Sequence, residues 1–499
     1  MTSPGAPISI PRAPWWRARE GYARVWVTPC WKGDGGVRQL LDVAIPMVLT
    51  GLTVVTNLMF DRILLARYDI EFHMPATQGA GAAWWTIQHT CGGVVGYATT
   101  FVAQYHGSNR LRRVGPSVWQ ALYLALACGA LNLLLYPMWG LFFEFVHGAG
   151  KLSLLEGQYA ATLSFGSVFL LIGAAFGSFY AGLGKTRFVF GVGALIAVTN
   201  VILNRWLIFN PPEWLPFIEP GVVGAAWATN FSLAFGALVY ALLVLHGRNE
   251  AEYATRSGWR FDARLLKRLV RFGLPQSYHH FIEVASFTFF FLMVGRVSQS
   301  ALIASNIAGT VNMVVFIPMI GMGQSVGILL GRFIGNGRTD LAERITCTGT
   351  LINFALMVPV ALVYTFMPDL FINLFITDEM SGEIVAAARE YARLFLLVVA
   401  IYSIGDVFNV TYASAIKGAG DTKFVFIFTA LSSLVLLIIP CALLGYFGGP
   451  PLLMWILVML FVMGMGGGFF LRFRSGHWKH MKVIEPDVDL VAEDTIPIR

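Results

Sequence analysis

Twelve long apolar stretches leave this chain little choice but to fold inside a lipid bilayer. A helix crossing the hydrocarbon needs about 20 mostly apolar residues. Stretches of that kind lie at 39–66, 79–103, 116–147, 160–182, 187–209, 221–247, 273–296, 300–334, 345–376, 387–417, 423–447 and 450–473. Composition agrees. Of 499 residues 56% are hydrophobic and 13% charged, with a mean hydropathy of +0.66, whereas soluble domains carry about 25% charged residues. So little charge cannot cover a water-soluble protein of this length. Several stretches exceed the bilayer thickness, which predicts tilt, kinks or frayed ends. Pro46, Pro275, Pro318 and Pro359 fall inside spans, where membrane helices tolerate proline better than soluble ones do.

Basic residues orient the spans, because cytoplasmic loops are enriched in Lys and Arg. The segments before the first span, after each even-numbered span and after the last, together with the span ends that adjoin them, hold 28 of the 35 basic residues. Both ends are therefore expected in the cytoplasm, in a plasma (inner) membrane protein with an even span count. The pI near 9.2 needs no nucleic-acid partner, since cytoplasmic basic loops face anionic lipid. Residues 1–38 carry Trp15, Trp16, Trp26 and Trp31 but no apolar core of a signal peptide. A surface-lying segment and a disordered tail both fit that composition. The five cysteines (Cys30, Cys91, Cys128, Cys347 and Cys441) lack metal-type pairing.

The two halves repeat. Gly182-Leu-Gly-Lys-Thr-Arg-Phe-Val-Phe190 returns as Gly418-Ala-Gly-Asp-Thr-Lys-Phe-Val-Phe426, an offset of 418 − 182 = 236. Gln104-Tyr-His-Gly107 matches Arg332-Phe-Ile-Gly335, offset by 335 − 107 = 228, and Pro46 and Arg67 match Pro275 and Arg296, offset by 229. Six spans per half keep both halves in one orientation, a parallel repeat about a pseudo-twofold axis along the membrane normal. This predicts an all-α membrane fold of two six-helix bundles around a cavity. Its divisions are a tail 1–38, an N lobe 39–247, a basic linker 248–272, a C lobe 273–473 and a tail 474–499. A repeat of this kind suits a transporter that rocks between two open states.

Ionisable groups in hydrocarbon are costly and mark pathways or coupling sites. Asp61, Glu283 and Asp406 lie in the first, seventh and tenth spans. At 1.5 Å of rise per residue, Glu283 and Asp406 both sit roughly 15–17 Å from the cytoplasmic end of their spans. Two carboxylates at one depth could share a proton or a cation, since burial and a like charge both favour the protonated form. Tyr402 and Asn409 flank Asp406 by four and three residues, and His279 and His280 precede Glu283 by four and three, all one helical turn away. Asn200 and Asn204, at i and i+4, could face Asp61 as neutral oxygen donors. Helix bridging alone would also explain such amides. No enzyme constellation emerges: Gly182-Leu-Gly-Lys-Thr186 lacks the spacing of a phosphate loop and follows no strand.

These residues resemble the multidrug and toxic compound extrusion (MATE) family, in its NorM-like branch, over about residues 39–473. Val102-Ala-Gln-Tyr105, Gly182-Leu-Gly-Lys-Thr186, Asn200-Val-Ile-Leu-Asn204 and Gly221-Val-Val-Gly-Ala-Ala226 carry the likeness in the first half. Gly273-Leu-Pro275, Phe281-Ile-Glu-Val284 and Lys417-Gly-Ala-Gly-Asp-Thr422 carry it in the second. The resemblance implies export of amphipathic, often cationic compounds against inward Na+ or H+, with no other cofactor. It implies a coupling set of Glu283, Asp406, Tyr402 and Asp61, and an N-lobe polar network of Asn200, Asn204 and Thr229. Asn204 replaces the aspartate of some branches, and the His279-His280 pair and Arg62 are departures from the pattern.

The expected function is thus a cation-coupled exporter of small amphipathic molecules, working as a monomer in the bilayer and not as an enzyme. Its rivals are a flippase of lipid-linked precursors, an exporter of one metabolite, a channel, and a non-transporting membrane protein.

Overall fold

A computed structural model describes residues 30–376 and 382–485; most of the tail 1–38 and the end of the tail 474–499 lie outside them. The described residues form helices joined by short turns. In chain order these are α1 Val37–Tyr68, α2 His73–Gly96, α3 Ala98–Gly107, α4 Val114–Leu134, α5 Met138–His147, α6 Lys151–Gly182, α7 Thr186–Leu207 and α8 Val222–Val244. There follow α9 Gly247–Tyr253, α10 Ala263–Val297, α11 Gln299–Gly335, α12 Thr339–Phe366, α13 Pro368–Ile372 and α14 Glu383–Ala419. The last are α15 Thr422–Ser432, a π segment Ser433–Ile438, α16 Ile439–Phe447 and α17 Pro451–Arg474.

Eleven helical stretches among the described residues are long and apolar enough to cross a membrane. The twelfth expected span, 79–103, is the continuous path of α2 into α3, interrupted at Tyr97. Its Gln, His, Thr and Gly content lowers its hydropathy. Two other spans also end early. The stretch 116–147 breaks before Pro137, and 345–376 stops at Phe366, two residues ahead of Pro368. Proline has no N–H to donate and restrains the residue before it, so each break falls where the chain demands one. Pro46, Pro275, Pro318 and Pro359 remain inside continuous helices. The segment 248–272 is not a bare connection. It holds α9 and a single 3-10 turn, and α10 already begins at Ala263, where the Asp262 carboxylate accepts from the backbone N–H of Arg264 and Leu265 at 3.0 Å.

Packing follows the repeat. A large apolar cluster fills the second half and takes in Leu40, Val43 and Ala44 of α1. Two further clusters fill the first half, one around Phe101, Phe179 and Tyr105, the other around Trp84, Trp139 and Tyr159. Outward faces stay apolar, with Phe145, Leu242 and Leu471 exposed, as lipid contact requires. The halves meet at the end of the bundle that carries Val37 and Arg474. There the Tyr97 hydroxyl donates to the Lys417 carbonyl at 2.9 Å, Gln104 Nε2 to the Gly418 carbonyl at 3.1 Å, and the Thr348 hydroxyl to the Gly35 carbonyl at 3.1 Å.

Candidate functional site

Helices α1, α2, α6, α7 and α8 enclose a cavity of about 660 Å³ within the first half. Asp61 stands on its wall beside Arg62, with the aromatic faces of Trp85 and Tyr159 nearby. The 3.6-residue helical period puts Asn200 and Asn204 on one face of α7, and both are fully buried. Asn204 Nδ2 donates to the Asp61 carboxylate and to Asn200 Oδ1, the latter at 2.7 Å. Asn200 Nδ2 donates in turn to the Thr229 hydroxyl at 3.2 Å, and Thr229 donates to the Ala225 carbonyl at 3.1 Å. The four residues expected to meet in this half therefore form one chain of hydrogen bonds. Asn57, one turn before Asp61, lines the same cavity. Its Oδ1 and that of Asn204 are buried acceptors with no partner among the described residues. A carboxylate and two unfilled amide oxygens are a donor set for a proton or a hard cation.

In the second half Asp406 is only 5% exposed and accepts from Asn409 Nδ2 at 3.2 Å. Tyr402, one turn earlier on α14, accepts from Asn312 Nδ2 of α11 at 3.2 Å. Glu283 of α10 lies within electrostatic reach of Asp406. The two carboxylates differ in access. Glu283 lines a second cavity of about 360 Å³ between the halves, together with His279, His280, Asn409 and Lys417, whereas Asp406 sits behind Asn409 and is not on that wall. His279 Nδ1 is 3.7 Å and His280 Nδ1 3.6 Å from Glu283 Oε2.

Three polar residues at or near these sites escape the sequence reading. Asn57 stands four residues before Asp61, a spacing that could have found it. Lys417 closes the tenth span and enters the sequence reading only as part of the motif Lys417–Thr422. The structure keeps it on the last turn of α14, three turns along from Asp406 (417 − 406 = 11), lining the cavity and interacting with Glu283. Asn312 had no carboxylate near it in sequence, and only the packing of α11 on α14 brings it to Tyr402.

The fold is shared with solved transporters. It superposes with a TM-score of 0.80 on a structure described as the outward-facing conformation of a multidrug resistance MATE family transporter of the MOP superfamily, at 18% identity, covering 93% of this chain and 99% of that one. A MOP superfamily transporter from Pyrococcus furiosus superposes with a TM-score of 0.79, also at 18% identity, covering 92% and 99%. Sequence relatives include a probable multidrug resistance protein NorM of Thermotoga maritima, 23% identical over 462 residues, 90% of this chain and 94% of the relative. A protein of the same description from Deinococcus radiodurans is 27% identical over 391 residues, 78% and 83% of the two chains. The MatE family pattern matches twice, at residues 39–206 and 275–443. The two matches begin 275 − 39 = 236 residues apart, the offset of the longest internal repeat. Matched in both halves along most of its length, the chain belongs to the MatE family.

Proposed function

We propose that this protein exports amphipathic, cationic small molecules across the plasma membrane in exchange for inward Na+ or H+. The observation that carries the reading is Asp61 on the wall of a 660 Å³ cavity, tied through Asn204 and Asn200 to Thr229. A cavity of that size holds a drug-sized ligand. Trp85 and Tyr159 offer π faces to a cation, and Asp61 offers it a counter-charge. The unfilled oxygens of Asn57 and Asn204 offer the coupling ion a place beside the same carboxylate, so ion and substrate compete. Glu283 and Asp406, with Tyr402, form the second coupling set. The names of the relatives from Thermotoga maritima and Deinococcus radiodurans support the substrate class.

The basic end is the cytoplasmic end in this reading, with both termini there. The halves touch at that end, so the described conformation opens outward. Binding of the ion at the carboxylates drives release of the substrate, and closure of the outer end resets the carrier. One chain holds both halves and both carboxylate sets, so a monomer suffices.

The test is ethidium efflux from proteoliposomes with Na+ and pH gradients imposed separately. Efflux under one gradient, lost in Asp61→Asn, is expected. Absence of efflux under both gradients in the wild-type protein would overturn the drug-export reading and favour a narrow-substrate exporter or a lipid flippase.

A further inference from the structure

We propose that His279, His280 and Glu283 form a binding site for a first-row transition-metal dication of the Zn2+ type, open toward the cavity between the halves. His279 is 3% exposed, and neither of its ring nitrogens has a hydrogen-bond partner among the described residues. A buried imidazole with both nitrogens unsatisfied is unusual and calls for a ligand. Its Nδ1 lies 3.7 Å from Glu283 Oε2, and the Nδ1 of His280 lies 3.6 Å from the same oxygen. Both separations are too long for a hydrogen bond. They suit atoms sharing one metal ion, because bonds of about 2.0–2.2 Å at tetrahedral angles put ligand atoms roughly 3.3–3.5 Å apart. One atom from each of the three residues lies within 4.8 Å of the others.

The donor types select the ion. Na+ and Mg2+ prefer oxygen, whereas imidazole nitrogen favours Zn2+, Ni2+ or Cu2+. Two neutral imidazoles and one carboxylate are a three-ligand set that leaves a fourth position free. All three residues line the 360 Å³ cavity, so water or a bound molecule can take that position. The ligands come from a single helix at i, i+1 and i+4, and need no rearrangement between helices. Lys417 faces the same cavity and interacts with Glu283. Its charge works against a dication, so the metal must displace its ammonium group from the neighbourhood of the carboxylate. Occupancy also ties up Glu283 and stops any transport step that uses it; that consequence rests on the coupling reading above, whereas binding does not.

The experiment is a Zn2+ titration of the purified full chain, carrying no polyhistidine tag, in competition with a chromophoric chelator. Expected are one Zn2+ per chain and, with Co2+ as the probe, the visible bands of a four-coordinate ion. His280→Ala, at a side chain 45% exposed, should weaken binding at least as much as the roughly 10–100-fold that an outer-shell partner is worth. Lys417→Met should tighten it. No Zn2+ uptake by the wild-type chain at micromolar concentration, or equal affinity in wild type and His280→Ala, overturns the proposal. The titration uses no ion gradient, so its outcome is separate from that of the efflux experiment.

Discussion

Gly107 and Gly335, which hold matching places in the two halves, each press against the other half's backbone: Gly107 on the carbonyl of Arg332, Gly335 on the carbonyl of Gln104. The motifs Gln104–Gly107 and Arg332–Gly335 thus meet reciprocally, as a twofold axis requires. A second reciprocal pair lies deeper. A Cβ on Gly93 would stand 2.6 Å from Ser277 Oγ, and one on Gly321 would stand 2.8 Å from Val48 Cγ2. Here too the partners are repeat counterparts, since 321 − 93 = 228 and 277 − 48 = 229. Glycine at these places lets α1, the α2–α3 path, α10 and α11 approach closely enough to seal one end of the bundle.

The seal is testable. Gly335→Ala places a methyl group inside the Gln104 carbonyl, and overpacking of this sort costs about 1–3 kcal/mol. That cost falls on the conformation closed at this end alone, because separated halves have room for it. The variant should shift toward the alternative opening. The measurement is labelling of a cysteine introduced on the wall of the cavity between the halves by a reagent supplied from the terminal end. Labelling at the wild-type rate would show that the glycine contact does not hold the seal.

Asp61 and Asn204 make a second prediction. Asn204→Leu keeps the branched shape but removes both donors, leaving the Asp61 carboxylate and Asn200 Oδ1 unsatisfied. An unmet buried acceptor costs roughly 1–3 kcal/mol, more for a charged one. The melting temperature should fall and efflux with it. Asp61→Asn removes the charge while keeping a polar side chain beside Asn204, so it should fold normally and fail to transport. Normal efflux in Asp61→Asn would remove this carboxylate from the mechanism.

A third prediction concerns the segment after α17. It crosses from the second half onto the first, where Val483 and Ile484 are buried and the Val483 N–H donates to Gln104 Oε1 at 2.9 Å. Glu485 accepts from the Tyr105 hydroxyl at 2.6 Å and pairs with Arg268, and its carbonyl accepts from Arg110 at 2.8 Å. Burial raises the Glu485 carboxyl, but the Tyr105 hydrogen bond and the Arg268 guanidinium outweigh it and leave the group below the usual carboxylate range. A carboxylate depressed in the folded state stabilises it above its unfolded value, and that contribution is lost as pH falls through the folded one. The strap should therefore hold at neutral pH and loosen in acid. Limited proteolysis after Met481 should show faster cleavage in Glu485→Gln than in wild type at pH 7, the difference shrinking as both are acidified. Equal cleavage at pH 7 would mean that the carboxylate does not fasten the segment.

Much of this architecture is legible in the sequence because bilayer spans and repeats leave local marks. The i,i+4 pair Asn200 and Asn204 marks one face of its helix, although only the packing of α7 on α1 brings that face to Asp61. What the sequence hides depends on distant partners. Gly107 and Gly335 are visible as repeat counterparts, yet nothing local says that each abuts the other's motif. Lys417 ends an apolar span, and nothing local says that its helix carries it into the cavity beside Glu283. The return of Val483 and Ile484 to the first half leaves no periodic trace, since two apolar residues in a polar tail have no period.

Glu283 and Asp406 separate the last two questions, because they share an electrostatic neighbourhood but not a surface. Glu283 lines the cavity between the halves and faces both histidines, whereas Asp406 lies behind Asn409. Both Glu283→Gln and Asp406→Asn should abolish gradient-driven efflux, since each removes one charge of a coupled pair. Their effects on Zn2+ should differ. Glu283→Gln removes the oxygen shared by both imidazoles and should lose the metal. Asp406→Asn removes no ligand, so its metal affinity should stay within a few-fold of wild type, which Coulomb attraction between partly screened sites allows. Chelator competition on the two variants, beside their efflux rates, measures both effects. Loss of Zn2+ binding in Asp406→Asn equal to that in Glu283→Gln would show that the metal site extends to α14 and is not built from α10 alone.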